Sequence, residues 1–349
     1  MLTTPVAVIT RTRNRPVFLH RALRSVSAQT FEDLVHVVVN DGGDLAEVER
    51  AVAALPDRAA ARVLVVDNEH QRGREAMVNV GLDATRSEFF AIHDDDDWWE
   101  PSFLERTIAH LVDRPGEVAV FTRCDVVHEH LEDGQFIEDS REVLAADLHS
   151  VTLVDTMVAN TNPPIAQVVR RTVADRIGHW DDTLEVQADW EFTLRLLLEG
   201  PVGFIDGEPL AHWSHRPPID GEAGNSVVSE RQEHHDINLQ IRDRYLRAAE
   251  HAPVAEASAV ALTTAEYFRR LDQHVGDALG VALSRASRSA SDHTQHIDAV
   301  HADLVRAISE QNARLEEMST KLDELLARQN TWQQLRSRLF GGRVSDPPR

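Results

Sequence analysis

Phe89-Phe90-Ala91-Ile92-His93-Asp94-Asp95-Asp96-Asp97-Trp98-Trp99 is the stretch on which the reading of this 349-residue chain turns. The apolar run reads as a buried strand. The four adjacent carboxylates at its end repel one another unless a cation or positioned donors compensate them. A divalent cation is the expected compensator, because Asp94 and Asp96, separated by one residue, suit Mg2+ or Mn2+ whose other ligands are phosphate oxygens and water. The alternative is an acidic loop at the N-terminus of the next helix, with Asp97 as its cap.

Outward from this strand the chain alternates. Val6 to Ile9, Leu34 to Val39, Val63 to Val66, Phe89 to Ile92 and Val118 to Phe121 are short runs rich in β-branched residues. Between them Phe18 to Gln29, Leu45 to Leu55, Arg74 to Ala84 and Pro101 to Leu111 place apolar residues at helical spacing. The alternation predicts an α/β fold with a doubly wound, mostly parallel sheet. Ligands in such sheets lie beyond the carboxyl ends of the strands. Residues 10–15, 40–44, 67–73 and 93–97 all sit at such ends and are expected to converge on one crevice. From 126 to 218 the pattern loosens: a polar loop is expected around Glu129 to Asp139, a turn at Asn160 to Pro164 feeding a strand Ile165 to Val169, and a helix from Asp189 to Glu199.

Residues 219–349 read as a helical region. Leu304, Ile308, Leu315, Met318, Leu322, Leu325, Trp332 and Leu339 follow three- and four-residue steps, which predicts a coiled coil over about 294–340 that self-associates, the alternative being a helix packed back onto the body. The end of that helix, Trp332 to Phe340 with Arg336, Arg338 and Arg343, is a short cationic amphipathic segment capable of weak contact with anionic lipid headgroups.

Composition removes several classes of function. A net charge of −22 argues against an electropositive footprint, so nucleic acid is not an expected partner. Cys124 is the only cysteine, which excludes an internal disulfide and a cysteine zinc cluster and agrees with a reducing cytoplasm. No apolar stretch approaches the roughly 20 residues of a membrane-spanning helix, and no secretory leader is read at the start. Lys321 is the only lysine and lies far from the crevice segments, so P-loop phosphate chemistry and pyridoxal Schiff bases lack their essential residue.

The candidate functional residues follow from the strand ends. Asp41, closing the strand before Gly42 and Gly43, can accept from the imide N–H of a pyrimidine base, or simply cap a turn. The first strand-to-helix turn, Thr10-Arg11-Thr12-Arg13-Asn14-Arg15-Pro16, offers backbone donors and arginines to phosphate, with an ordinary turn an equally good reading. Asn68, Gly73, Arg74, Asn79 and Gly81 add a polar helix face on the same crevice, although Asn79 also reads as a satisfied buried amide. Asp189 opens a helix beside Trp190 and Phe192. Partial desolvation there suits a general base for a sugar hydroxyl, and helix N-termini also favour aspartate for its own sake. His215, or else His212, is a candidate metal ligand.

Taken in order, Val8 to Pro16, Val39-Asn40-Asp41-Gly42, Ile92 to Trp98, Ile177-Gly178-His179-Trp180-Asp181 and Ala188-Asp189-Trp190 resemble the family 2 glycosyltransferases of the GT-A fold, over about residues 5–217. The resemblance implies a GT-A domain at 1–218, with a nucleotide-sugar half at 1–125 and an acceptor half at 126–218. It implies that Asp41 holds the base, that Asp94 and Asp96 meet donor ribose and metal with Asp95 beside them, and that Asp189 is the catalytic base. Thr10, Arg11, Arg13, Asn14, Asn68, Gly73 and Asn79 fall to the donor side, and His215 joins Asp96 at the metal. Thr161 and Asn162, Trp180 and Asp181, and Trp190 are the expected acceptor wall.

The implied reaction is an inverting, Mn2+- or Mg2+-dependent transfer from a nucleoside-diphosphate sugar to a cell-surface polysaccharide or glycolipid, with free soluble acceptors open, in the cytoplasm or peripherally at the inner face of the membrane. Members often carry an aspartate where Asn40 stands, an aliphatic residue at His93 and an acidic residue at Ala188, which leaves Asp189 as the sole base in its segment. The alternative from another class is a catalytically silent GT-A-like scaffold acting through its coiled coil.

Overall fold

The computed structural model describes residues 2–216 and 231–248, most positions of 268–280, and 303–318 with 320–321. The chain divides into two compact units, Met1–Glu266 and Tyr267–Arg349.

In the first unit, strands β1 (Leu2–Thr12), β2 (Leu34–Asp41), β3 (Val63–Asn68) and β4 (Thr85–Ile92) alternate with α1 (Pro16–Ser27), α2 (Leu45–Ala53), α3 (Asp57–Ala60) and α4 (Arg74–Asp83). Then come β5 (Trp98–Trp99), α5 (Phe103–Asp113), β6 (Ala119–Thr122), β7 (Cys124–Glu132), β8 (Gln135–Val143), α6 (Leu153–Val158) and a single 3-10 turn at Pro164–Ala166. The unit continues through β9 (Gln167–Arg170), α7 (Arg171–Ile177), α8 (Ala188–Glu199), β10 (Val202–Ile205) and β11 (Ala211–His215) to the helix Arg231–Ala248, here α9. The main sheet has the order β10-β6-β9-β4-β1-β2-β3, and only β9 runs antiparallel to its neighbours. This is the mostly parallel, doubly wound sheet that the alternating pattern predicts.

The side-chain period of a strand distributes the core over both faces. Ala7 and Ile9 pack with Met77, Leu82, Phe90, Trp180 and Phe192 on one side, while Val6 and Val8 pack with Val26, Phe103, Leu104 and Leu111 on the other. With both faces covered, β2 is buried at every residue, which is why its sequence is apolar almost throughout. Each fully buried Val, Leu, Ile or Phe contributes about 1.5–3 kcal/mol relative to exposure. Gly81 brings α4 close to this sheet: a Cβ there would stand 2.5 Å from Cγ2 of Ile9.

A second sheet, β5-β11-β7-β8, contains a feature the sequence reading missed. The expected polar loop at Glu129 to Asp139 is a hairpin, with Glu132 paired to Gln135 across Asp133 and Gly134, both at positive φ. Asp-Gly between two strands is the signature of this two-residue turn, but the exposed, charged strand β8 hides the usual alternation.

The helical region begins inside the first unit. α9 buries Ile237 and Ile241 in the same core cluster as Phe192, so the packed body extends past the boundary expected at 218. In the second unit residues 303–318 are helical, with Ile308 and Leu315 49% and 39% exposed. The remaining heptad positions, Leu322 to Leu339, and the cationic segment lie outside the described residues.

Candidate active site

Because the chain runs β1-β2-β3 in one direction and returns to place β4 on the other side of β1, the carboxyl ends of β1 and β4 diverge at a switch point where a crevice must open. A cleft of about 720 Å3 lies there, lined among others by Arg11, Arg13, Asp41, Gly73, Asp94, Asp95, Asp96 and Asp189. The expected convergence of the strand-end segments is therefore met.

The four carboxylates are compensated chiefly by arginines. Arg11 donates from Nε and Nη2 to the two oxygens of Asp94 at 2.8 and 3.3 Å. Asp95, 2% exposed, accepts from Thr12 Oγ1 at 2.7 Å and Arg15 Nη1 at 2.8 Å. Asp96 accepts from Arg15 Nη2 at 3.0 Å and from Arg216, whose side chain is fully buried. Asp97 accepts from the backbone N–H of Ser214 at 2.9 Å. It does not cap the following helix, which starts only at Phe103 after Ser102.

Burial and the adjacent carboxylates push Asp95 and Asp97 upward. Burial also opposes ionisation of Asp96, but Arg15 and Arg216 outweigh it and hold that carboxyl down to about 2. Asp96 is thus held ionised, as an oxygen donor suited to a cation. Behind it, Glu129 accepts from Arg21 at 2.8 Å on each oxygen and from Arg216 at 2.8 Å, which locks β7 and β11 against α1.

Among the described residues no three His, Cys, Asp or Glu side chains are arranged to hold a metal ion. The donor set fits a divalent cation in a narrower sense: the ionised Asp96, with the remaining ligands left to a diphosphate and water. His215 lies within electrostatic reach of Asp96, with its Nε2 buried. Its ring packs edge-on against Trp213 and His128, at 4.2 and 5.7 Å, and it is the next residue, Arg216, that turns to Asp96. His212 is 2% exposed, stacked on Trp98 at 5.1 Å and 3.1 Å from Glu100.

On the donor side Asp41 lies in the cleft with each oxygen accepting one backbone N–H, from Arg72 at 2.8 Å and Gly73 at 3.0 Å. It holds the loop that starts α4, and each oxygen keeps a second lone pair toward the cleft. Gly42, at φ 72°, permits this close approach: a Cβ would meet Gln71 N at 2.7 Å.

Four other expected donor contacts are structural instead. Thr10 is fully buried and bonded to His36 Nε2 at 2.8 Å, because alternation turns it away from the cleft that Arg11 faces. Asn14, at φ 52°, accepts from the Asp44 N–H at 2.9 Å and fixes the turn. Asn68 bonds the His70 carbonyl. Asn79 brackets Trp180, donating to its carbonyl at 2.9 Å and accepting from its N–H at 3.0 Å.

On the acceptor side Asp189, half-buried at the start of α8, accepts from Asn160 Nδ2 at 2.7 Å. Its expected aromatic backing is absent: Trp190 is 1% exposed and donates Nε1 to the Thr156 carbonyl at 2.7 Å, while Phe192 stacks on Trp180 at 4.0 Å. Trp180 and Trp190 are thus core residues and no acceptor wall. Asp181 is engaged by Thr183 and Arg244, and Thr161 bonds Asn162, so these three also stand off the cleft.

The cleft wall on this side is made by Pro164, Asp182, Leu184, Glu185, Gln187, Trp213, Glu233 and His234, most of which the sequence reading did not single out. Two more were missed. Arg15 was read only as part of the first turn, and Glu75, 7% exposed, accepts from Arg11 Nη1 and Arg74 Nε at 3.2 Å each. An acidic residue in the first turn of α4 reads as dipole compensation in sequence, which hid it.

Residues 7–146 match the model of glycosyl transferase family 2. The uncharacterized glycosyltransferase YwdF of Bacillus subtilis (strain 168) is 27% identical over 193 residues, covering 54% of this chain and 67% of that protein. S. aureus TarS 1-349, solved in complex with UDP-GlcNAc, is similar with a TM-score of 0.59 at 17% identity, over 88% of this chain and 80% of that one. The mannosyltransferase PcManGT from Pyrobaculum calidifontis, in complex with GDP-Man and Mn2+, reaches a TM-score of 0.52 at 15% identity, over 89% and 88%. At such identities the two structures bear on the fold alone, and they have the fold expected here. Among the described residues no helix is long and apolar enough to cross a membrane. Residues 7–146 thus match glycosyl transferase family 2 within a fold whose strand-end carboxylates share one cleft, and the chain is a glycosyltransferase.

Proposed function

We propose that the chain transfers a sugar, with inversion, from a nucleoside-diphosphate sugar to a hydroxyl of a cell-surface polysaccharide or glycolipid. The observation that carries this reading is the gathering of Asp41, Asp94, Asp96 and Asp189 on one cleft. Asp41 accepts from the base, and Asp94, presented by Arg11, accepts from the ribose. Arg13 and Arg72 border the path of the diphosphate. Asp189, oriented by Asn160, takes the proton of the acceptor hydroxyl. The freed oxygen attacks the anomeric carbon from the face opposite the diphosphate, and the bond from that carbon to the diphosphate oxygen breaks as the new glycosidic bond forms. A Mg2+ or Mn2+ ion held through Asp96 would neutralise charge on the departing diphosphate.

The acceptor wall presents the carboxylates of Asp182, Glu185, Asp189 and Glu233, and Arg74 is occupied by Glu75 and the Glu185 carbonyl. Such a wall suits an uncharged, hydroxyl-bearing sugar better than a phosphate or a uronate. Exposed Ile308 and Leu315 support self-association through the C-terminal helix. Peripheral contact with the inner membrane face through the Arg336 to Arg343 segment is part of the same reading.

The test is a thermal-shift screen against UDP, dTDP, GDP and CDP, with and without Mn2+. Stabilisation by one nucleotide that depends on the metal supports the reading and names the donor. Silence with all four nucleotides in a well-folded sample would count against it and favour a scaffold role.

A further inference from the structure

Helix α8 starts from a strained residue. Gln187, its N-cap and two positions before Asp189, has φ 64° and ψ 14°. A residue with a Cβ enters this left-handed region at a cost of about 1–2 kcal/mol, so the surroundings must hold it there. The Gln187 carbonyl accepts from the Glu191 N–H at 3.0 Å, and the Gln187 side chain meets α9. Asn238 donates Nδ2 to Gln187 Oε1 at 3.2 Å, and Gln187 Nε2 lies 3.5 Å from Nδ1 of His234.

Asn238 is itself braced, because its Oδ1 accepts from Arg242 Nε at 2.8 Å. Arg242 is 3% exposed, donates Nη2 to the Met157 carbonyl at 2.8 Å and stacks its guanidinium over Trp190. Ile237 and Ile241 anchor the same helix in the core. The first turn of α9 also brings Glu233 and His234 to the cleft beside Gln187.

We propose that α9 completes the acceptor side of the active site. Asn238 and His234 are positioning residues that keep Gln187 in its left-handed turn and so aim Asp189, and Glu233 with His234 borders the bound acceptor sugar. With an ordinary φ at Gln187 the first turn of α8 would lose either the burial of Ala188, which is fully buried, or the contact of Asp189 with Asn160. The helix lies outside residues 7–146, so the acceptor wall is built from a part of the chain beyond the matched donor half. This inference rests on the reading of Asp189 as the base.

Asn238→Asp keeps the acceptor that braces Arg242 and removes the N–H that holds Gln187. The experiment measures nucleotide release, with water as acceptor, from the sugar nucleotide of whichever diphosphate the thermal screen selects, using the full chain. A fall in kcat of about tenfold or more is expected in Asn238→Asp and in Gln187→Ala. The double variant should be no slower than the slower single one, and nucleotide affinity and unfolding midpoint should be unchanged. Unchanged kcat, strictly multiplicative losses or lost nucleotide affinity would overturn the clamp.

If the parent neither binds nor hydrolyses any donor, the glycosyltransfer reading fails separately. The clamp is then read from deuterium uptake at residues 186–192, faster in Asn238→Asp if it exists and unaltered if it does not.

Discussion

Asn160 donates from Nδ2 to Oδ2 of Asp189 at 2.7 Å, so the turn before β9 orients the carboxylate at the head of α8. If Asp189 is the base, Asp189→Asn loses transfer by about a hundredfold or more while nucleoside diphosphate affinity holds. Asn160→Ala should give a smaller loss, in kcat rather than in the donor KM. Turnover retained in Asp189→Asn would remove the assignment.

Arg11 stands between two acids, its side chain 13% exposed against 25% for Asp94 and 8% for Glu75. Arg11→Met leaves Asp94 without its cation and Glu75 with Arg74 alone, and should cost about 3 kcal/mol in urea unfolding. Adding Glu75→Gln should recover part of that loss, since it removes one of the stranded charges. An additive pair of losses would mean that the two side chains do not act on each other.

Asp96 is held ionised by Arg15 and Arg216, which must share it with any bound cation. Asp96→Asn is therefore predicted to abolish the Mn2+-dependent part of the nucleotide thermal shift and to spare the metal-independent part. A metal-dependent shift surviving in the variant would place the cation elsewhere.

His36 and His93 are buried and held neutral: burial lowers them from 6.5 to about 3 and about 4. An unfolded chain takes up protons as pH falls below 6.5, whereas the folded chain resists until near those lowered values. The stability they confer is therefore complete above pH 6.5 and is lost as pH falls toward 4. For His93 the loss amounts to about 3 kcal/mol. Asp95, raised by burial, titrates with the opposite sign, so the useful quantity is the difference between the parent and His93→Gln. That difference should shrink from pH 7 to pH 4, and a constant difference would contradict the neutral buried imidazole.

The heptads from Leu304 onward predict association, and deleting residues 291–349 should lower the mass measured by light scattering without lowering nucleotide affinity. An unchanged mass would assign the exposed Ile308 and Leu315 to contacts within one chain.

The strands and helices that frame the cleft were legible because each obeys a local rule. β1 and β2 carry apolar runs, Val6 to Ile9 and Val37 to Val39, since both sheet faces are covered, and α1 opens on Pro16, whose missing N–H is unneeded at a helix start. The hairpin at Asp133-Gly134 was written in two residues and went unread because its outer strand buries little. Asp41, Asp94, Asp96 and Asp189 stand out in the sequence by their order at strand ends and a helix start, and the fold puts all four on one cleft.

Side-chain direction and partnership over long separations were not legible. Thr10 and Arg11 are adjacent yet face opposite ways, Trp180 and Trp190 are spent on the core, and Asp96 pairs with the distant Arg15 and Arg216. By itself the sequence determined the alternation of elements, the sheet class, and the residue types that must meet at the carboxyl ends of its strands. These follow from hydrophobic period and backbone sterics, which act over a few neighbouring residues. Only the tertiary structure decided which guanidinium compensates which carboxylate, which aromatic rings are core, and that α9 reaches Gln187. Such pairings join residues tens to more than a hundred positions apart, and packing of the whole sheet, not any local preference, brings them within hydrogen-bonding distance.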